Sequence, residues 1–286
     1  MKRMPEQLYL DLLKKTLSFS LWPDPPLPIA TFNYARPAWK RAMIGVAERL
    51  AAVAGLGLVK SATFNAAEPG EGRGWPSYGD TMIGLCRLDH LQACIESVLR
   101  DRVPGNLIET GVWRGGACIF MRGVLRAYGI DDRQVYVADS FEGLPVPNMD
   151  TYPPDAGDVH HLHRFLAVSE EQVRKNFERY GLLDEQVVFL KGWFKDTLPN
   201  ADIGALSILR LDGDMYESTM NALNALYPKL SPGGYCIIDD YSLPSCKRAV
   251  DEYREAHGIK ACLEIIDWTS CYWRHRESTP AGASRS

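Results

Sequence analysis

The chain has 286 residues, 46% of them hydrophobic and 24% charged, enough ordinary globular material for one α/β domain of about 180 residues and an added layer. It contains no apolar run of about 18 residues, and Met1-Lys2-Arg3 leads into Pro5 and Glu6 rather than an apolar stretch, so neither a membrane span nor a secretory leader is expected, and a cytoplasmic location is. The net charge of −4 gathers in residues 105–286, where 19 Lys and Arg face 26 Asp and Glu, which argues against nucleic acid as substrate.

Residues 6–19, EQLYLDLLKKTLSF, place Leu8, Leu12, Leu13 and Leu17 near helical spacing, which predicts an amphipathic helix packed on the main domain or on a neighbouring subunit. The run WPDPPLP at 22–28 cannot continue a helix and should cross in extended form, and residues 36–54 return to helical character with Pro37 in the first turn. Residues 65–79, NAAEPGEGRGWPSYG, have no apolar period and read as a loop, either disordered or a flap gated by ligand. A helix is expected over 81–99, with Leu85, Leu88, Leu91 and Ile95 on one side.

The stretch NLIETGVWRGG at 106–116 organises the rest. Leu107 and Ile108 suit a buried parallel strand, Glu109 lies near its carboxyl end, and Gly111, Gly115 and Gly116 let the backbone approach a ligand. Trp113 stands where a dinucleotide fingerprint needs its second glycine, so a nucleoside without a pyrophosphate fits better. Strand and helix then alternate as in a doubly wound sheet: helix 117–128, strand 134–139, helix 169–180 opened by S-E-E-Q, strand 187–190, strand 206–212, helix 216–230, strand 233–240 and helix 245–257. Asp139, followed by Ser140, ends its strand 28 residues after Gly111, somewhat beyond the roughly 20 expected of an acid that grips a ribose, and the role still fits. Gly192-Trp193-Phe194 lies just past a strand, where a flat side chain would cover an adenine. Residues 143–168 form an excursion over the carboxyl edge of the sheet and read as a lid; its His160, His161 and His163 have no fourth ligand at recognisable spacing, so no metal site is assigned to them.

Two strands deliver Asp212, Asp214, Asp239 and Asp240 to one edge. Four carboxylates there repel one another unless neutralised, and a hard divalent cation such as Mg2+ is the natural counterion. Helix capping by Asp214 with Glu217, and a turn closed by Asp240 before Pro244, are the structural alternatives, and they leave Asp212 and Asp239 unexplained. The seven cysteines are scattered without a C-x-x-C pair and read as reduced, mostly buried thiols.

Together, ETGVWRGG, VADSFEGLP, FLKGWFKDTLP, LDGD with Tyr216 and Thr219, and IIDDY resemble the macrocin O-methyltransferase family, whose members methylate sugar hydroxyls of antibiotics; the resemblance runs from LYLDLLKKTL at 8–17 to YWR at 272–274. It implies a class I methyltransferase fold, an α/β Rossmann-like doubly wound sheet with N-terminal helical additions and a lid. The implied division is a helical cap, oligomerisation and flap region at 1–104, a cofactor-binding domain at 105–276 and a disordered tail at 277–286. The implied cofactors are S-adenosylmethionine and Mg2+. Glu109, Thr110 and Gly111 would hold the methionine part, Asp139 and Ser140 the ribose, and Gly192 and Trp193 the adenine. Thr81 and Met82 would cover the cofactor, and Asp212, Asp239 and Asp240 would ligate the metal. Asp214 is the candidate general base, with Asp212 or a histidine as alternatives. The implied partners are a glycoside acceptor and further copies of the chain in a homo-oligomer, with no nucleic acid or membrane. Competing readings are a glycosyltransferase using Asp212-Gly213-Asp214 as a D-x-D site, a methyltransferase of a catechol-like hydroxyl, a nicotinamide oxidoreductase, and a binding protein, which would not need clustered carboxylates.

Overall fold

The computed structural model describes residues 4–22, 27–29, 36–60, 71–73, 76 and 78–276. Helix α1 (Pro5–Leu17) is followed by a short strand β1 (Leu27–Pro28), helix α2 (Ala38–Val53) and strand β2 (Val59–Lys60), which pairs antiparallel with β1. Next come α3 (Leu85–Arg100), β3 (Asn106–Thr110), α4 (Gly116–Ala127), β4 (Val135–Asp139), α5 (Glu170–Arg179), β5 (Val187–Lys191) and the short α6 (Phe194–Thr197). The chain continues through β6 (Leu206–Leu211), α7 (Tyr216–Leu226), β7 (Leu230–Ile238), α8 (Pro244–Ala256), β8 (Glu264–Ile265) and β9 (Cys271–Arg274). The central sheet has seven strands in the order β5-β4-β3-β6-β7-β9-β8. Its first five strands run parallel to one another and β9 runs antiparallel to both β7 and β8; the order of connection turns back between β3 and β6, where open α/β sheets bind ligands.

Alternation along the strands divides the core. Leu107, Val135 and Val137 face the layer built by α1, α3 and α4, with Leu10, Leu13 and Leu17 of α1 in that same cluster, while Ile108, Leu209 and Ile238 face α7 and α8. Burying continuous apolar strands on both faces is what a parallel sheet requires. Ser169 caps α5, its Oγ accepting the Gln172 amide at 3.2 Å as the S-E-E-Q spacing predicts.

Several boundaries differ from the expected ones. The helix expected from residue 81 begins at Leu85, because Thr81 Oγ1 accepts the Ile83 amide at 3.3 Å and ties residues 81–83 into a turn ahead of Gly84 at the N-cap. Pro37 takes the N-cap position of α2 rather than its first turn. Helix α7 ends at Leu226, where Pro228 breaks it into a 3-10 turn, and β7 starts at Leu230, three residues early, through an irregular pairing with β6. Residues 61–70 of the flap region and the tail 277–286 lie outside the described residues. All seven cysteines are free, five of them buried. Among the described residues no helix is long and apolar enough to cross a membrane.

Candidate active site

The reversal point is built by contact between two strand ends. Gly111 has φ +83, and a Cβ there would lie 1.7 Å from the Asp212 carbonyl oxygen, so only glycine lets the turn after β3 rest on the end of β6. A cleft of about 480 Å³ opens above this point. Thr81, Met82, Glu109, Gly111, Asp139 and Ser140 line one part of it, with Gly192 and Trp193 beside them. Thr81 is held close to the start of α4, where a Cβ on Gly116 would come within 2.5 Å of the Thr81 Cβ, and Asp80 is fixed by Arg179 at 2.7 Å and Tyr180 at 2.8 Å.

Asp139 accepts the amides of Val112 and Phe141, each at 2.7 Å, and so joins the turns after β3 and β4. Burial raises its pKa against those amides. Ser140 serves the local turn, its hydroxyl donating to Gly143 O at 2.8 Å and accepting the Glu142 amide at 3.0 Å. Thr110 does not line the cleft. Successive strand residues point to opposite faces, so with Glu109 turned to the cleft Thr110 is fully buried on the other side, its hydroxyl without a hydrogen-bond partner.

The acidic edge contains cations that the spacing of its carboxylates does not reveal. Arg210, 1% exposed, donates to Glu109, to Asp212 Oδ2 at 2.8 Å and to Asp239 Oδ1, and Arg87 donates to Asp239 Oδ2 at 2.6 Å. Burial works against the Arg210 charge, but Asp239, Glu109 and Asp212 outweigh it and raise its pKa. Glu109 is pushed up to about 7 by burial, despite Arg210. The repulsion expected among the carboxylates is therefore answered in part by the protein itself. Two guanidiniums do not balance the acids that remain: Asp212, Asp239 and Asp240 each offer an oxygen within 4.8 Å of the others, and burial with mutual repulsion holds Asp240 well above the usual carboxylate range. That donor set, all oxygen, acidic and convergent, fits a hard divalent cation.

Asp214 lines the same cleft. It has φ +55, a conformation that a non-glycine residue adopts at some cost, and its amide donates to Asp240 Oδ2 at 3.2 Å. It does not cap α7. The cap comes from the lid, where Asp155, 1% exposed, accepts the Tyr216 amide at 2.6 Å and the Glu217 amide at 3.0 Å. Burial and Asp212 push the Asp214 carboxyl up to about 7. By anchoring the lid here, Asp155 also brings His160 to the cleft, its Nδ1 2.8 Å from Asp158 Oδ2. Burial opposes charge on that ring, but Asp158 and the field of Asp214 raise its pKa.

Sequence reasoning missed Arg210, Arg87 and Asp155 as parts of the site, and offered a histidine only as an alternative base without bringing His160 to the cleft. Arg210 carried a signal, as a lone charge inside the apolar run LSILRL is rarely buried without a partner. The others depend on contacts between distant segments.

Parallel strands ordered β5-β4-β3-β6-β7, a glycine turn at the reversal point and an acid closing the neighbouring strand define a class I methyltransferase. The chain belongs to the macrocin-O-methyltransferase family, whose sequence profile matches residues 6–275. It is 49% identical over 269 residues, 94% of this chain and 92% of the other, to the 8-demethyl-8-(2,3-dimethoxy-alpha-L-rhamnosyl)-tetracenomycin-C 4'-O-methyltransferase of Streptomyces olivaceus. It is 47% identical over 273 residues, 94% of this chain and 96% of the other, to the mycinamicin III 3''-O-methyltransferase of Micromonospora griseorubida. The solved structure of the O-methyltransferase NovP superposes with a TM-score of 0.81 at 46% identity, covering 95% of this chain and 99% of that one.

Proposed function

We propose that the protein is an S-adenosylmethionine- and Mg2+-dependent O-methyltransferase acting on a sugar hydroxyl of a glycosylated natural product. The observation that carries this reading is the three-carboxylate cluster of Asp212, Asp239 and Asp240 in the same cleft as Asp139 and the Gly111 turn. When bound, the two groups supply an electrophilic sulfonium methyl and a Lewis acid for the acceptor oxygen. The chain supplies position and proton transfer. Asp139, which closes β4 and lines the cleft, would accept from a ribose, while Met82 and Trp193 would give apolar cover to the nucleoside. The carboxylates of Asp212, Asp239 and Asp240 gather at the end of the cleft where the acceptor hydroxyl must be oriented. Asp214, left out of helix capping, is the general base that takes the hydroxyl proton, and the lid anchored by Asp155 excludes water from that step.

Calorimetry with S-adenosylmethionine, a UDP-sugar and NAD in turn separates this reading from a glycosyltransferase or an oxidoreductase. S-adenosylhomocysteine at a hundredfold excess over its Kd should stabilise the fold by about 2.7 kcal/mol. Because Asp139 also holds two backbone amides, Asp139→Ala should melt lower on its own, and its rise with S-adenosylhomocysteine should shrink to a small fraction of the wild-type rise. A full rise, counted from the variant's own baseline, removes Asp139 from the cofactor site.

We further propose a homo-oligomer joined through the N-terminal elements. Helix α2 buries no residue, and Trp39, Met43, Val46, Leu50 and Val53 are 61%, 64%, 57%, 68% and 90% exposed along one heptad-spaced stripe. Sixteen residues that bury none of their side chains fully make a marginal helix in water, so a partner for the stripe is expected. Sedimentation at micromolar concentration should show a dimer or larger species that Leu50→Lys dissociates. A wild-type monomer would refute the assignment.

A further inference from the structure

Beyond Asp239, the cleft wall holds a half-open tryptophan that the reaction scheme leaves unused. Trp268 lines the cleft and is 46% exposed, yet its ring is fixed on several sides. Its Nε1 donates to the Glu71 carbonyl at 2.9 Å, and the guanidinium carbons of Arg73 and Arg87 lie 4.9 Å and 5.9 Å from its ring centroid. Arg87 also donates to the Gly72 carbonyl at 3.1 Å and to Asp239 at 2.6 Å, so one side chain ties the 71–73 segment to the acidic edge. The backbone around Trp268 is equally constrained. Asp267 Oδ1 accepts the Thr269 and Ser270 amides at 3.0 Å each, and Ser270 Oγ donates to the Asp239 carbonyl at 2.7 Å. A large apolar side chain that is immobilised while half its surface stays open has met its ordering cost before any ligand arrives, which is what a recognition surface requires. The ligand must suit two unlike walls, an indole and a row of carboxylates. A pyranose ring does so, with a face of C–H bonds and a rim of hydroxyls.

We infer that Trp268 is the platform for the acceptor's sugar ring: the C–H face rests on the indole, and the hydroxyl rim turns toward Asp212, Asp239 and Asp240. Residues 71–73 and Arg87 keep the indole in place. This rests on the O-methyltransferase reading and adds the side chain that seats the sugar ring.

The test uses methyl α-L-rhamnopyranoside, a ring with no aglycone, and measures its affinity by ligand-observed NMR with protein loaded with S-adenosylhomocysteine and Mg2+. Trp268→Leu should weaken binding at least about tenfold, whereas Trp268→Phe, which keeps an aromatic face, should stay within about threefold of wild type. Both variants lose the Nε1 bond to Glu71 and should melt somewhat lower on their own, yet both should keep the full rise with S-adenosylhomocysteine counted from their own baselines, whereas a merely structural tryptophan would leave rhamnoside affinity equally weakened in both. Equal affinity in Trp268→Leu, no saturable binding to the wild type, or a rise lost together with affinity overturns the platform. A wild type that binds the rhamnoside through Trp268 but shows no rise with S-adenosylhomocysteine keeps the platform and fails the methyltransferase reading instead.

Discussion

Arg210→Met should lower the free energy of unfolding by about 3–5 kcal/mol at neutral pH, among the largest single-residue effects outside the apolar core. Glu109, Asp212 and Asp239 all accept hydrogen bonds from this guanidinium, which is 1% exposed, so water cannot replace it. Removing it leaves Glu109 and Asp212 without a bonded cation and Asp239 with Arg87 alone, at the joined ends of β3, β6 and β7. The loss should depend on pH in a definite direction. Burial already raises the Glu109 pKa to about 7 and raises that of Asp212 with Arg210 present, and without the guanidinium both must rise further. An acid whose folded pKa lies above its unfolded value weakens the fold at pH above the unfolded pKa, and that penalty fades as pH falls below the folded one. The gap between variant and wild type should therefore be widest at and above about pH 7 and narrow toward about pH 5. Arg210→Lys should fall between them, since it keeps the charge but cannot fork to three acceptors. Urea unfolding of the three proteins at both pH values is the measurement. A loss below about 1 kcal/mol, or a gap that does not narrow, would mean that the guanidinium is not what holds these strand ends together.

The same residue shows what a sequence can and cannot disclose. The sheet was legible because each parallel strand is a short apolar run with punctuation at its end, and the reversal point because ETG and VAD place acid and glycine at adjacent strand ends. The acidic edge was legible for the same reason, as strands that lie side by side bring their C-terminal residues together. What neutralises that edge was not. Arg87 reaches Asp239 across 152 residues, and Asp155 caps a helix 61 residues later, contacts that no local period encodes. Asp214 looked equally able to cap its own helix or to serve the chemistry until the lid was seen to supply the cap. Thr110 went the other way: a motif match could not show that it faces away from the cleft.

Exhaustive chelation should end turnover while leaving the S-adenosylhomocysteine-induced rise in melting temperature intact, because the side chains proposed to hold the nucleoside, Asp139 and Trp193, are not among the three clustered carboxylates. The structure also decides which substitution tests the metal cleanly. Asp239→Asn is a poor choice, because both carboxylate oxygens are engaged by Arg210 and Arg87 and the variant would lose stability for reasons unrelated to Mg2+. Asp240 has the opposite character: burial, then Asp214, Asp212 and Asp239, all raise its pKa, so its charge is held against repulsion. Asp240→Asn should stabilise the metal-free protein by about 1 kcal/mol, a rise of roughly 2–4 °C. It should also abolish the further rise that Mg2+ gives the wild type and reduce turnover with it. Asp214→Asn should part company with it, keeping the Mg2+-induced rise while turnover falls by about a hundredfold or more, as expected when a base is lost and the cation site is not. Melting curves and turnover against added Mg2+ for the three proteins distinguish the outcomes. Undiminished activity after chelation would end the metal mechanism, whereas an Asp214→Asn enzyme only a few-fold slower would keep the cation site and pass the proton to His160, which the lid holds in the same cleft.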